Sequence, residues 1–221
     1  MDQKDIGKIF HRDGYRLALQ YLGDGLSVDK LRTAIEALYE AVDGLLEAFL
    51  KRSEIEGKGT DCKKGCAFCC HQPVYAVTHE MLFLRDHIRR HVSSDQQARF
   101  LDRSREKSLQ TLNKSPEEQQ KIVFACPFLE DDSCQVYGAR PMACRIYLSS
   151  SVKSCQIEME KTGGKNHKVQ LYEFPLQAGR MLNEGFVSCL KQLGLESTEL
   201  PLEQGYASII TLDQEFDSWI R

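Results

Sequence analysis

Seven of the nine cysteines in this 221-residue chain fall in two short stretches, and that clustering constrains its fold more than any other feature. The first stretch reads Cys62-x3-Cys66-x2-Cys69-Cys70. The second runs from Cys126-Pro-Phe-Leu129 through Cys134-Gln-Val-Tyr137 to Arg140-Pro-Met-Ala-Cys144-Arg145. Thiols this dense need disulfide partners or a metal, and the compartment decides which. Burial as an unligated thiol explains an isolated cysteine. It does not explain four in nine residues beside Lys63, Lys64 and Gly65, a polar loop with nothing to pack.

The segment Met1–Phe10 is charged and lacks the apolar run of a signal peptide. No window approaches the roughly 18 apolar residues of a membrane span. A cytoplasmic setting is expected, without a membrane, where packed cysteines read as metal ligands or redox groups. Lys and Arg number 29 against 32 Asp and Glu, a net charge of −3. Binding to bulk nucleic acid, which needs a basic surface, is therefore not expected. The bases from Arg85 to Lys107 are interleaved with Asp86, Asp95, Asp102 and Glu106 and read as a solvated helical face.

The first third has helical periodicity. Ser27 can cap a helix with Leu31, Ile35, Leu38, Val42, Leu45 and Phe49 on one side. An earlier helix over Ile6–Leu22 ends at Gly23-Asp-Gly25, and the two are expected to pair as an antiparallel hairpin. Pro73 forbids a helix through the first cysteines. Thr78, Ser94 (with Gln97) and Ser115 (with Pro116) are helix starts. Cys126–Leu129, the acidic turn Glu130–Ser133 and Cys134–Tyr137 read as a short β-hairpin, followed by a brief helix carrying Cys144. Gly163-Gly164 marks a break. A C-terminal helix carries Leu182, Phe186, Cys189, Leu190 and Leu193, and Asp213 can cap a last one near Trp219. With six acids and one base, Leu195–Arg221 reads as surface. The expected fold is mostly α, a single domain over residues 1–221. A motif core over 62–147 forms an irregular metal-bound lobe, flanked by helices in 1–55 and 171–221.

Four thiolates around one ion make a tetrahedral zinc site or hold an Fe–S cluster. Gly65 relieves a tight turn between ligands. The pair Cys69-Cys70 is harder to accommodate, because adjacent side chains diverge. Seven thiols exceed one closed site and fall one short of two, and Cys155 is a candidate eighth. His71 and His79 are weaker candidates. Cys189 sits on the apolar phase of its helix and belongs to the core.

These segments resemble the YkgJ-type cysteine-cluster family, also called CxxCxxCC, a zinc- or iron-chelating domain. The resemblance runs from Cys62 to Tyr147 and includes the helix start Val77-Thr78-His79-Glu80. It implies a small, mostly helical metal-binding domain and no known reaction. Position by position it marks Cys62, Cys66, Cys69, Cys70, Cys126, Cys134 and Cys144 as ligands. Arg140 and Arg145 fall on the family's arginines, where guanidinium groups would serve the anionic charge of a thiolate-bound cofactor.

Three functions follow from these residues. The first is a metal-stabilised module with a protein partner. The second is an Fe–S oxidoreductase or electron carrier, fed by a partner because no dinucleotide fingerprint is present. The third is a cluster-dependent protein-modifying enzyme, since flagellin lysine methylases carry a similar cluster. The Cys62-x3-Cys66-x2-Cys69 spacing also matches radical S-adenosylmethionine enzymes, but no strand–helix alternation surrounds it. No H-E-x-x-H occurs, so hydrolysis is not expected. Zinc is slightly favoured over iron.

Overall fold

The computed structural model describes residues 3–63, 65–161 and 167–220. Lys64 and the Gly163-Gly164 break lie outside them. The fold is mostly α. Helix α1 (Gln3–Leu22) leads to α2 (Val28–Ile55), whose first turn is closed by Ser27 Oγ accepting from the Lys30 N–H. Leu31, Ile35, Leu38 and Val42 are fully buried, the seam that the sequence marks. Leu46 continues it into the core, while Leu45 only packs against its edge.

α1 contacts α2, but its main partner is α8 (Glu173–Gln192). The reason is a pair of glycines. A methyl carbon placed on Gly14 would lie 1.9 Å from the Leu182 carbonyl oxygen, and one on Gly185 would lie 1.8 Å from that of His11. Only hydrogen fits at either position, so the two backbones touch and the expected hairpin becomes one side of a three-helix layer.

Strand β1 (Tyr75–Val77) leads into α3 (Thr78–His91), which is followed by α4 (Ser94–Thr111) and the single turn α5 (Pro116–Gln119). Two caps sit one residue earlier than the sequence suggests. Val77 occupies the cap position of α3, and Ser93 rather than Ser94 caps α4, accepting from Gln96 N–H. The Ser115–Glu118 capping box forms as expected. The hairpin is shorter than its sequence pattern, with β2 (Leu129–Glu130) paired to β3 (Ser133–Cys134). Its turn residues Asp131 and Asp132 have φ of 48° and 54°, the left-handed pair of a tight hairpin turn. Then come α6 (Met142–Arg145), which carries Cys144, and α7 (Val152–Glu160), which carries Cys155.

The acidic tail is not surface. β4 (Glu199–Pro201) pairs antiparallel with β1, α9 (Leu202–Thr211) packs on α3 and α4, and α10 (Phe216–Trp219) closes the chain. Leu195, Leu202, Tyr206, Ile209 and Phe216 are core residues. Glu215, not Asp213, stands at the cap of α10. The basic helices are also not uniformly solvated. Lys107 is buried against Glu203 of α9 at 3.5 Å. Arg85 is 12% exposed and pairs with Asp213 at 2.5 Å. No helix among the described residues is long and apolar enough to cross a membrane.

Candidate metal centre

All nine cysteines are unbridged, and every candidate cysteine ligand except the buried Cys155 is partly exposed. Gly65 has φ of +86°, and the Cys66 N–H closes the turn onto the Lys63 carbonyl at 3.0 Å. The chain then coils into a 3-10 turn, Phe68–His71, which holds Cys69 and Cys70. From the other stretch, Cys126 N–H donates to the Cys70 carbonyl at 2.7 Å. The two cysteine stretches, with 55 residues between them, thus meet through a direct backbone hydrogen bond.

Backbone amides point at the sulfurs. Cys62 Sγ accepts from the Ser149 N–H at 3.2 Å. The backbone amides of Phe68, Phe128 and Val136, each two residues on, act on the Cys66, Cys126 and Cys134 sulfurs to favour the charged form. An N–H aimed at sulfur favours the thiolate. Burial works against it, raising the Cys134 and Cys66 thiols, lifting Cys126 to about 11 and Cys144 well above the ordinary thiol value. Cys69 is pushed down, because the Cys70 thiol hydrogen-bonds to it, with the Arg140 charge helping. Cys70, the donor of that bond, is pushed up.

The sulfurs fall into two neighbourhoods that meet at Cys69. Cys70 feels Cys126 and Cys144, Cys126 feels Cys134, Cys144 feels Cys126 and Cys134, and Cys70, Cys134 and Cys144 each feel Cys69. Cys155 of α7 feels Cys62, Cys69 and Cys66. Cys155 reaches that group because Thr60 Oγ1 donates to the Ser149 carbonyl (2.7 Å) and Asp61 accepts from the Val152 N–H (2.9 Å), docking the first stretch on the start of α7.

Glu80 locks Cys144 in place. It is 2% exposed; Oε1 accepts from the Met142 N–H at 2.6 Å and Oε2 from the Val77 N–H at 3.0 Å. One carboxylate therefore joins the start of α3 to the start of α6. Its place in the Val77-Thr78-His79-Glu80 pattern was the only sequence signal for it. Burial raises its pKa to about 7, and the two backbone donors hold it back.

The arginines are occupied in different ways. Arg145, 2% exposed, donates to Asp43 Oδ2 of α2, to the Gly138 carbonyl and to the Arg140 carbonyl, and lies 3.9 Å over the Tyr39 ring. Arg140 stacks on Tyr137 at 3.7 Å and lowers the thiol pKa of both Cys69 and Cys134. His71 Nδ1 meets the Ala67 carbonyl at 3.0 Å, and His79 is fully buried against Phe186. Cys189 is a core residue, as its helical phase requires.

Among the described residues no three His, Cys, Asp or Glu side chains are already drawn around a common point as an ion would need. The chemistry of the donor set still fits a soft or borderline metal. It is all sulfur, drawn from four segments, and four of the sulfurs are met by backbone amides. Such a set defines a metal-chelating cysteine-cluster domain. Residues 61–169 match the CxxCxxCC family model, described as a putative zinc- or iron-chelating domain, so this segment is a domain of the family its cysteine pattern resembles. The match takes in both cysteine stretches and Cys155. No curated protein and no solved structure matches the chain significantly.

Proposed function

We propose that this protein binds zinc through the sulfurs of its cysteine lobe as a structural, partner-presenting module. The observation that carries the reading is the set of backbone N–H groups aimed at Cys62, Cys66, Cys126 and Cys134. Amide donors spread the charge of a metal-bound thiolate, and they would be idle around inert thiols. Cys70, Cys126, Cys134 and Cys144 form the inner donor group. Cys62, Cys66, Cys69 and Cys155 form a second group beside it. Bound zinc supplies tetrahedral cross-linking and no redox chemistry. The chain's own residues do the rest: Glu80 fixes the Cys144 turn, Asp43 holds Arg145, and Arg140 offsets negative charge near Cys69 and Cys134. The thiols lifted by burial lose their protons on loading, so uptake releases acid and weakens at low pH.

Purification under oxygen protection, followed by elemental analysis and a visible spectrum, tests this. A colourless protein with stoichiometric zinc is expected, and Cys126→Ser should lower both metal content and solubility. A brown protein with broad absorbance, carrying iron and sulfide, would replace this reading with an Fe–S protein. Full metal loading in Cys126→Ser would remove Cys126 from the ligand set.

A further inference from the structure

His87 and His91 stand one turn apart on α3, at the spacing that sets two side chains on one helix face. Their ring centroids are 4.7 Å apart and the planes are inclined by 46°. His91 is exposed and His87 half-buried. The other histidines are engaged elsewhere. His11 meets Ser188, His71 the Ala67 carbonyl, His167 the Ser154 carbonyl, and His79 is sealed in the core.

We propose that His87 and His91 form a separate, exposed site for a borderline divalent cation of the Zn2+, Ni2+ or Cu2+ type. Two neutral imidazoles a helical turn apart are a bidentate donor for such ions, which prefer nitrogen to the carboxylate oxygen that suits Mg2+ or Ca2+. The His87 pKa is pushed below its ordinary value first by burial, then by His91 and Arg90, with Asp86 opposing. Arg90 is tied to Asp86 Oδ2 at 2.6 Å, a carboxylate it shares with Arg32 and Arg89, so its charge is partly offset towards an incoming cation. The pair leaves coordination positions open, which gives an exchangeable site rather than a closed one. It also sits at the rim of the cysteine lobe. A methyl group on Gly138, in the loop between Cys134 and Cys144, would be 3.9 Å from His87 Cε1. The site stands whether or not the lobe holds zinc, because it shares no ligand with it.

The test uses tag-free protein carrying its native metal and Ni2+ immobilised on a chelating resin as the probe. Wild-type protein should be retained and eluted by imidazole. His87→Asn and His91→Asn should each elute earlier, and the double variant should pass through. Metal content of the lobe, measured on the same samples, should not change. Equal retention of the double variant, or no retention of the wild type, overturns the site. Loss of lobe metal in the single variants would overturn its separateness, since the imidazoles would then belong to the cysteine centre.

Discussion

Glu80 offers a sharp test of how the fold holds the cysteine lobe together. Its carboxylate accepts two backbone N–H groups, the buried one of Met142 and the half-buried one of Val77. Glu80→Ala leaves both donors without partners in a site that is 2% exposed. An orphaned buried donor costs about 1–3 kcal/mol, and the half-buried Val77 N–H adds less, so the pair costs about 1–4 kcal/mol. A domain's whole stability is about 5–15 kcal/mol, so this is a large fraction of it. Glu80→Gln keeps one acceptor and turns an amide NH2 towards the other N–H, so roughly half of that loss is expected. Urea unfolding followed by circular dichroism reads the loss as a lower midpoint at constant slope. Freeing the Cys144 turn should also weaken metal retention against a competing chelator, by about 10–100-fold if Glu80 acts as outer-shell residues commonly do. The expected order in both assays is wild type, then Gln, then Ala. A Glu80→Ala protein with an unchanged midpoint and unchanged metal retention would refute the clamp.

Other perturbations have equally definite outcomes. Gly185→Ala forces a carbon to within 1.8 Å of the His11 carbonyl oxygen and should lower the melting temperature, at a cost of about 1–3 kcal/mol or more. Gly44→Ala, with nothing within 4 Å, should be neutral or stabilise α2 by up to about 1 kcal/mol. Glu203→Gln strands the buried Lys107 charge, and a cost of about 3–5 kcal/mol is expected in denaturant unfolding. The double variant Lys107→Met/Glu203→Leu should recover most of it. Burial holds the His79 pKa down at about 3, against an ordinary value of 6.5. The unfolded chain then binds the proton more readily, so this residue's contribution is intact above pH 6.5 and drains away as the pH falls towards 3. His79→Phe should flatten the stability–pH slope in that window relative to wild type; an unchanged slope would contradict the assignment.

The cysteine stretches, the α2 seam, the Ser27 and Ser115 caps and the hairpin were all legible because each is a local pattern. Periodicity, a capping hydroxyl or a ligand spacing needs only a few residues of context. The errors came from averaging and from long-range geometry. Counting six acids in the tail hid Leu202, Tyr206 and Ile209, which share one buried face of α9. Net charge describes a segment, whereas burial is decided face by face. The pairing of α1 with α8 depends on Gly14 and Gly185 meeting across 171 positions of chain, and neither glycine is distinctive alone. Lys107 looked solvated because its partner, Glu203, lies 96 residues on. The role of Cys155 was open on count alone; its place beside Cys62, Cys66 and Cys69 follows from the docking of α7 on the 3-10 turn.

X-ray absorption at the metal edge of the natively loaded protein tests the central claim most directly. A first shell of about four sulfurs near 2.3 Å, with edge energy of zinc, is the expected result. A first shell of nitrogen and oxygen, whatever the metal, would contradict the assignment of these cysteines as its ligands.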